Sequence, residues 1–223
     1  MPTTTARPPK PQTTARRASG PRTRKLAEVA STPAPQPLFA AAPVPRVPMS
    51  LEEFQARDWA TGDGLKWEWC DGFAEAGEES MQVKDRMIAV RMLRAFRESP
   101  YVKSGAELLQ ETDCFLQAAG TTRRPDMAAF TNDELIQSEA GHDATPRFVI
   151  EILSKNDNHR HVMKKLDEYF ASGVLVVWHV DPATQRVSVY RSPKEVTICE
   201  GSDVCSAAPA FAEFQIAAEK IFG

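Results

Sequence analysis

The chain has 223 residues, 42% hydrophobic and 26% charged, with a formal net charge of −3. No apolar run approaches the roughly 20 residues needed to span a bilayer, which predicts a soluble protein without a membrane partner. The charge is unevenly spread: residues 1–48 hold eight Lys or Arg against Glu28 alone, a balance of +7, and the rest holds 19 bases against 29 acids, a balance of −10.

Residues 1–48 also hold eleven of the 17 prolines and few bulky apolar side chains. Such a segment cannot bury enough surface to offset its ordering entropy, so a disordered basic arm is expected. The arm has no hydrophobic signal-peptide centre. Rich in Arg, Thr and Ser and poor in acids, it loosely resembles a transit peptide, but its prolines spoil an amphipathic helix. Residues 49–223 suffice for one domain with a sizeable core. Ser50-Leu-Glu-Glu53 is a capping-box pattern that predicts a short helix through about Ala60, broken by Gly62 and Gly64. Lys66 to Ala76 reads as a strand pair turned at Asp71-Gly72. Met81, Met87, Ile88, Met92, Leu93 and Phe96 recur at helical spacing over Ser80–Glu98, and Pro100 marks the stop.

Strands are expected at Leu108–Glu111, Asp113–Gln117 and Asp126–Phe130, then a polar loop with a helical turn over Thr131–Pro146. Arg147–Leu153 is a short continuous apolar strand of the kind buried in a sheet. His159–Ser172 is an amphipathic helix ended by Gly173, and Val174–Val180 is a second buried strand. Strand, helix, strand from Arg147 to Val180 predicts a parallel crossover and hence an α/β sheet. Strands at Arg186–Arg191 and Glu195–Cys199 and a helix near Phe214–Phe222 complete the expected domain.

Three ionisable residues stand out. Asp126 shares a strand face with Ala128 and Phe130. Glu151 sits between Val149 and Leu153 on one side of an apolar strand, where an unpaired carboxylate costs several kcal/mol or titrates upward; a cation or a lysine is expected beside it. Lys165 lies on the following helix, with His161 one turn before and Tyr169 one turn after, while Lys164 points about 100° away. A metal held by the carboxylates and a purely structural Glu151–Lys165 salt bridge both satisfy this pattern.

These residues resemble the PD-(D/E)XK nuclease superfamily and, within it, the Uma-type restriction endonuclease family. Met-Ser-Leu-Glu-Glu-Phe at 49–54 is similar to that family's opening helix, and Lys-Trp-Glu68-Trp-Cys-Asp71-Gly72 to its glutamate-bearing strand. Arg-Arg-Pro125-Asp126 matches its Pro-Asp motif, Glu151-Ile-Leu-Ser154 its Glu-x-x-Ser motif, and Lys165 ahead of Tyr169 and Gly173 its helical lysine. Trp178-His-Val-Asp181-Pro182 and Ala-Pro209-Ala-Phe211 also fit. The chain departs from the pattern at His161, where an acid is usual, at Gln82 and Lys84, near a usual histidine, and at Lys155, in place of proline.

The resemblance implies a restriction-endonuclease-like mixed central sheet flanked by helices and a metal-dependent endonuclease acting on DNA. Asp126, Glu151 and the carbonyl of Ile152 would bind magnesium, with manganese the alternative ion. Lys165 would sit beside the attacking water, and Glu68 would be an outer carboxylate reaching the metal through water or orienting Lys165. The other implied outcome is a nuclease-fold module that binds DNA or protein without cutting. The acidic body is awkward for a nucleic-acid enzyme, but Arg123-Arg124, the stretch from Lys155 to Lys165 and the basic arm offer phosphate contacts. Cutting both strands ordinarily needs two sites, so a homodimer is expected. Cys70, Cys114, Cys199 and Cys205 show neither metal-ligand spacing nor a disulfide framework, which points to the cytoplasm.

Overall fold

The capping box at Ser50 forms as its sequence dictates. In the computed structural model, which describes residues 45–59, 65–79, 83–140, 144–155 and 157–223, the Ser50 hydroxyl accepts the Glu53 N–H and the Glu53 carboxylate accepts the Ser50 N–H. These bonds start helix α1 (Leu51–Ala56), shorter than expected. The expected disordered arm lies outside the described residues up to Val44. Its last residues, Arg46–Pro48, form strand β1, antiparallel to β3 (Phe73–Glu79). Strand β2 (Leu65–Cys70) joins β3 through Asp71 and Gly72, at φ 53° and 83°. That pair of positive φ values is what a two-residue hairpin turn requires.

Helix α2 (Val83–Arg97) buries Ile88, Met92 and Phe96, and a 3-10 turn (Pro100–Ser104) follows it. Then come β4 (Glu107–Gln110), β5 (Cys114–Leu116), β6 (Thr121–Arg123) and β7 (Met127–Phe130). Strand β6 is Thr-Thr-Arg, with no apolar pattern to announce it, yet all three residues are buried. Thr131 and Glu134 form a second capping box and start α3 (Asn132–Glu139), a full helix where a loop with one turn is expected.

Strand β8 (Phe148–Ile152), helix α4 (His159–Ala171) and β9 (Val176–Asp181) make the expected parallel crossover. The chain closes with β10 (Arg186–Ser192), β11 (Glu195–Glu200), β12 (Val204–Ala207), β13 (Phe211–Ala217) and α5 (Ala218–Phe222). The expected terminal helix thus begins four residues late. Residues 211–217 pair with β12, and Phe211 and Phe214 pack edge-on against Phe96.

Six strands form a mixed sheet in the order β11-β10-β9-β8-β7-β4, and five form a second sheet in the order β1-β3-β2-β6-β5. Alternation along β8 decides what faces what. Phe148 and Ile150 point into a cluster with α2, β13 and α5. Val149 points to the other face, where Leu166 and Tyr169 of α4 cover it. This is the α/β class expected, a central mixed sheet flanked by helices. Among the described residues no helix is long and apolar enough to cross a membrane.

Candidate active site

The antiparallel register of β7 and β8 (Met127 opposite Ile150, Ala128 opposite Val149) continues one step to set Asp126 opposite Glu151. Both side chains fall on the α4 face. Asp126 is buried; its Oδ2 accepts the Ile152 N–H at 2.6 Å, and its Oδ1 is paired with the Lys66 ammonium. Glu151 Oε1 accepts the phenolic O–H of Tyr169 at 2.6 Å. Burial pushes the Glu151 carboxyl above its ordinary range and the charge of Asp126 adds to this, against the pull of Lys165, Lys66 and Tyr169.

One turn before Tyr169 on α4, Lys165 Nζ lies 2.9 Å from Glu68 Oε1. Glu68 Oε2 is 2.9 Å from Arg123 Nη1, and Glu68 Oε1 also accepts the Arg124 N–H at 3.0 Å. Arg123, with no exposed side-chain surface, reaches on to Glu168 at 2.7 Å. Burial alone would raise the Glu68 carboxyl, but Lys165, Arg123 and the Arg124 amide hold it down at about 2. Burial likewise works against the Lys165 ammonium, yet Glu68 and Glu151 keep it charged, with its pKa raised.

The four side chains singled out in the sequence therefore converge. Asp126 and Glu151 lie at adjoining strand ends, and Lys165 acts electrostatically on Glu151 while contacting Glu68. Ile152 directs its N–H at Asp126, whereas the next residue, Leu153, bonds Val180 of β9. A strand residue turns its N–H and C=O to the same side, so the Ile152 carbonyl also faces the Asp126 side. Lys164 turns away, to Asp71 at 3.1 Å and Cys70 at 3.3 Å. His161, one turn before Lys165, stands 4.0 Å from Glu68; burial first, then Lys165 and Arg123, lowers its pKa.

Much of the expected basic surface is already committed. Arg123 is buried, and Arg124 forms a two-point pair with Asp113 at 2.7 and 2.8 Å. Lys155, in the turn after β8, and His159 and Arg160, at the start of α4, are exposed. Sequence reasoning missed four residues here. Lys66 shares the inward face of β2 with Glu68, so period-two alternation was the signal that could have found it. Arg123 sits on a strand without an apolar pattern, Tyr169 reads in the sequence as a helix neighbour of Lys165, and His179 as part of the Trp178–Pro182 motif. His179 is the β9 partner of Glu151; it is buried, its Nε2 has no partner, and burial lowers its pKa to about 4.

The donor set fits a small hard cation. Two adjoining carboxylates and an inward carbonyl are oxygen donors, and Glu151 is destabilised by the Asp126 charge, which a cation would relieve. Among the described residues no group of three or more His, Cys, Asp or Glu could hold a metal, so a dedicated protein cage is not what this site offers. Magnesium suits it, because that ion takes one or two carboxylates and keeps its waters. Lys66 stands where its charge competes.

Comparison with known proteins bears on the family and the fold. Residues 51–219 match the family model Uma2, described as "Putative restriction endonuclease". A crystal structure from Anabaena variabilis, of a "putative nuclease belonging to DUF820", superposes with a TM-score of 0.64 at 23% identity, over 78% of this chain and 98% of that one. At that identity the likeness carries the fold. No curated protein matches the chain. With the family model matched from the capped first helix into the last, this chain belongs to the Uma2 family, the one described as "Putative restriction endonuclease".

Proposed function

We propose that this protein is a magnesium-dependent endonuclease hydrolysing DNA phosphodiester bonds, with manganese able to replace magnesium. The observation that carries the reading is the convergence of Asp126, Glu151, Lys165 and Glu68 on one face of the sheet, beneath α4. Asp126, Glu151 and the Ile152 carbonyl would hold the ion. When bound, the ion acidifies a water and offsets charge on the scissile phosphate.

The remaining chemistry belongs to the chain. Lys165, kept charged by Glu68, spends one N–H on that carboxylate and has two left; these can orient the attacking water and stabilise charge growing on the phosphate oxygens. Arg123 and the Arg124 amide fix Glu68, and Glu68 fixes Lys165. Tyr169 fixes the rotamer of Glu151. Lys155, His159 and Arg160 would meet backbone phosphates without reading sequence. A cleft of about 490 Å³, lined by Trp59, Glu111, Asp113, Phe115 and Arg124 among others, includes none of the four site residues in its wall, so the reading does not rest on it.

The test is nicking of supercoiled plasmid with magnesium. Wild type should convert it to open circles, while Asp126→Ala and wild type with EDTA should not; equal activity in wild type and Asp126→Ala refutes the proposal. One observation favours a non-cutting DNA-binding module instead: both Asp126 oxygens already have partners, Lys66 and the Ile152 amide. Plasmid binding without nicking at any magnesium or manganese concentration would establish that second reading.

A further inference from the structure

Strand β11 is an edge of the six-stranded sheet among the described residues, and its middle is uncovered. Val196 is 46% exposed and Ile198 59%; Thr197 between them is exposed too. A flat apolar edge is a template for another strand, which proteins normally cover or blunt.

The direction of its free hydrogen-bonding groups can be worked out. The Glu200 carbonyl accepts the Asp203 N–H at 3.0 Å, and the Glu200 N–H donates to the Asp203 side chain at 3.1 Å, so both point away from β10. Backbone direction repeats every second residue along a strand, so the N–H and C=O of Ile198 and Val196 point away from β10 as well. Two residues thus offer two donors and two acceptors to the outside, and Glu200 offers none.

We infer that β11 pairs with β11 of a second copy of this chain, antiparallel, about a two-fold axis at Thr197. In this register Val196 faces Ile198 of the partner copy, and both pairs exchange two hydrogen bonds each, using every free group. A register centred on Ile198 would set Val196 against Glu200, whose groups are taken. One centred on Val196 would place Lys194 against Ile198. Centring on Thr197 instead sets Lys194 opposite Glu200, base against acid. Val196, Ile198 and Glu200 share one sheet face by alternation, while Lys194 lies in the turn just before β11 and Glu200 already pairs with Arg186 of β10 at 2.7 Å. The apolar pairs therefore form the centre of the contact and the Lys194–Glu200 charge pair its edge. Thr197 meets its own copy on the other face. The result is one continuous twelve-stranded sheet with two candidate active sites, and the pairing does not depend on what those sites do.

Sedimentation velocity of the full chain, over a range of concentrations, tests it. Wild type should run as a dimer. Ile198→Pro removes an outward N–H without touching the β10 ladder and should give a folded monomer, its fold checked by circular dichroism. Lys194→Glu puts like charges opposite each other and should raise the dimer Kd about tenfold. The double swap Lys194→Glu with Glu200→Lys, made together with Arg186→Glu so that residue 200 keeps its partner within the chain, should restore it. A monomeric wild type overturns the inference. So does a dimer indifferent to both single changes, or a charge reversal that the double swap fails to rescue.

Discussion

Glu68 and Glu151 both feel the ammonium of Lys165, yet they are stabilised very differently. Glu68 has a lysine, a fully buried arginine and a backbone amide around it, and its carboxyl is held down at about 2. Glu151 has one phenol bonded to it and a second carboxylate facing it, and burial first, then that carboxylate, pushes its carboxyl up against the pull of Lys165 and Lys66. The first cluster is complete in the protein alone. The second sets two carboxylates against the single ammonium paired there, Lys66 on Asp126, and the carboxylate left over, Glu151, is what a cation site needs. The difference teaches where the domain is held together and where it is left available for chemistry.

The largest effect should come from breaking the complete cluster. Arg123→Met keeps much of the side-chain volume but strips Glu68 and Glu168 of their shared partner inside the protein. Leaving buried carboxylates without their base should cost about 3–5 kcal/mol, read as a drop in the urea midpoint. A loss under about 1 kcal/mol would mean that Lys165 and Lys164 compensate, and that the arginine is not the hub of the network.

The opposite response is expected of Glu151→Gln. Gln can still accept the Tyr169 hydroxyl, while the repulsion with Asp126 disappears. The variant should lose plasmid nicking but unfold at an equal or higher temperature than wild type in EDTA. The pH dependence follows from the signs. A carboxyl raised on folding costs stability once ionised, and that cost is relieved as the pH falls through its raised value. The advantage of Glu151→Gln should therefore be greatest at neutral pH and shrink on acidification. Glu68 behaves inversely: its contribution is complete above its ordinary value of 4.5 and is lost as the pH falls toward about 2. A thermal shift difference between the two proteins that grows in acid would contradict this account.

The two clusters were unequally legible in the sequence. Asp126 and Glu151 were visible because a charge amid apolar strand residues breaks the alternation that otherwise defines a buried face. The crossover was visible because two apolar runs bracket an amphipathic helix. Arg123 was hidden because β6 is three polar residues whose burial comes from β5, its hairpin neighbour, and from β2, a partner distant in sequence. It therefore passed for a surface phosphate contact. Strand β13 was mistaken for helix because Phe214, Ala218 and Ile221 also fit helical spacing; only its pairing with β12 separates the two. Lys66 could have been found, since it stands two residues from Glu68, but it takes the fold to bring β2 against Asp126.

Lys66 also supplies the finest test of the comparison. Its ammonium is paired with Asp126, and the charges of Asp126 and Glu151 raise its pKa against the effect of burial. If the second cluster is a cation site, this lysine is a tethered competitor for it. Lys66→Met retains the apolar stem and removes the charge, while Asp126 keeps the Ile152 amide. Titration calorimetry with manganese should then show tighter binding, by about tenfold, which is roughly 1.4 kcal/mol. Asp126→Ala in the same assay should bind weakly or not at all, which ties the signal to this site. Unchanged affinity in Lys66→Met would mean that the ammonium and the ion do not contend for one place, and the metal would then have to sit on the Glu151 side of the pair.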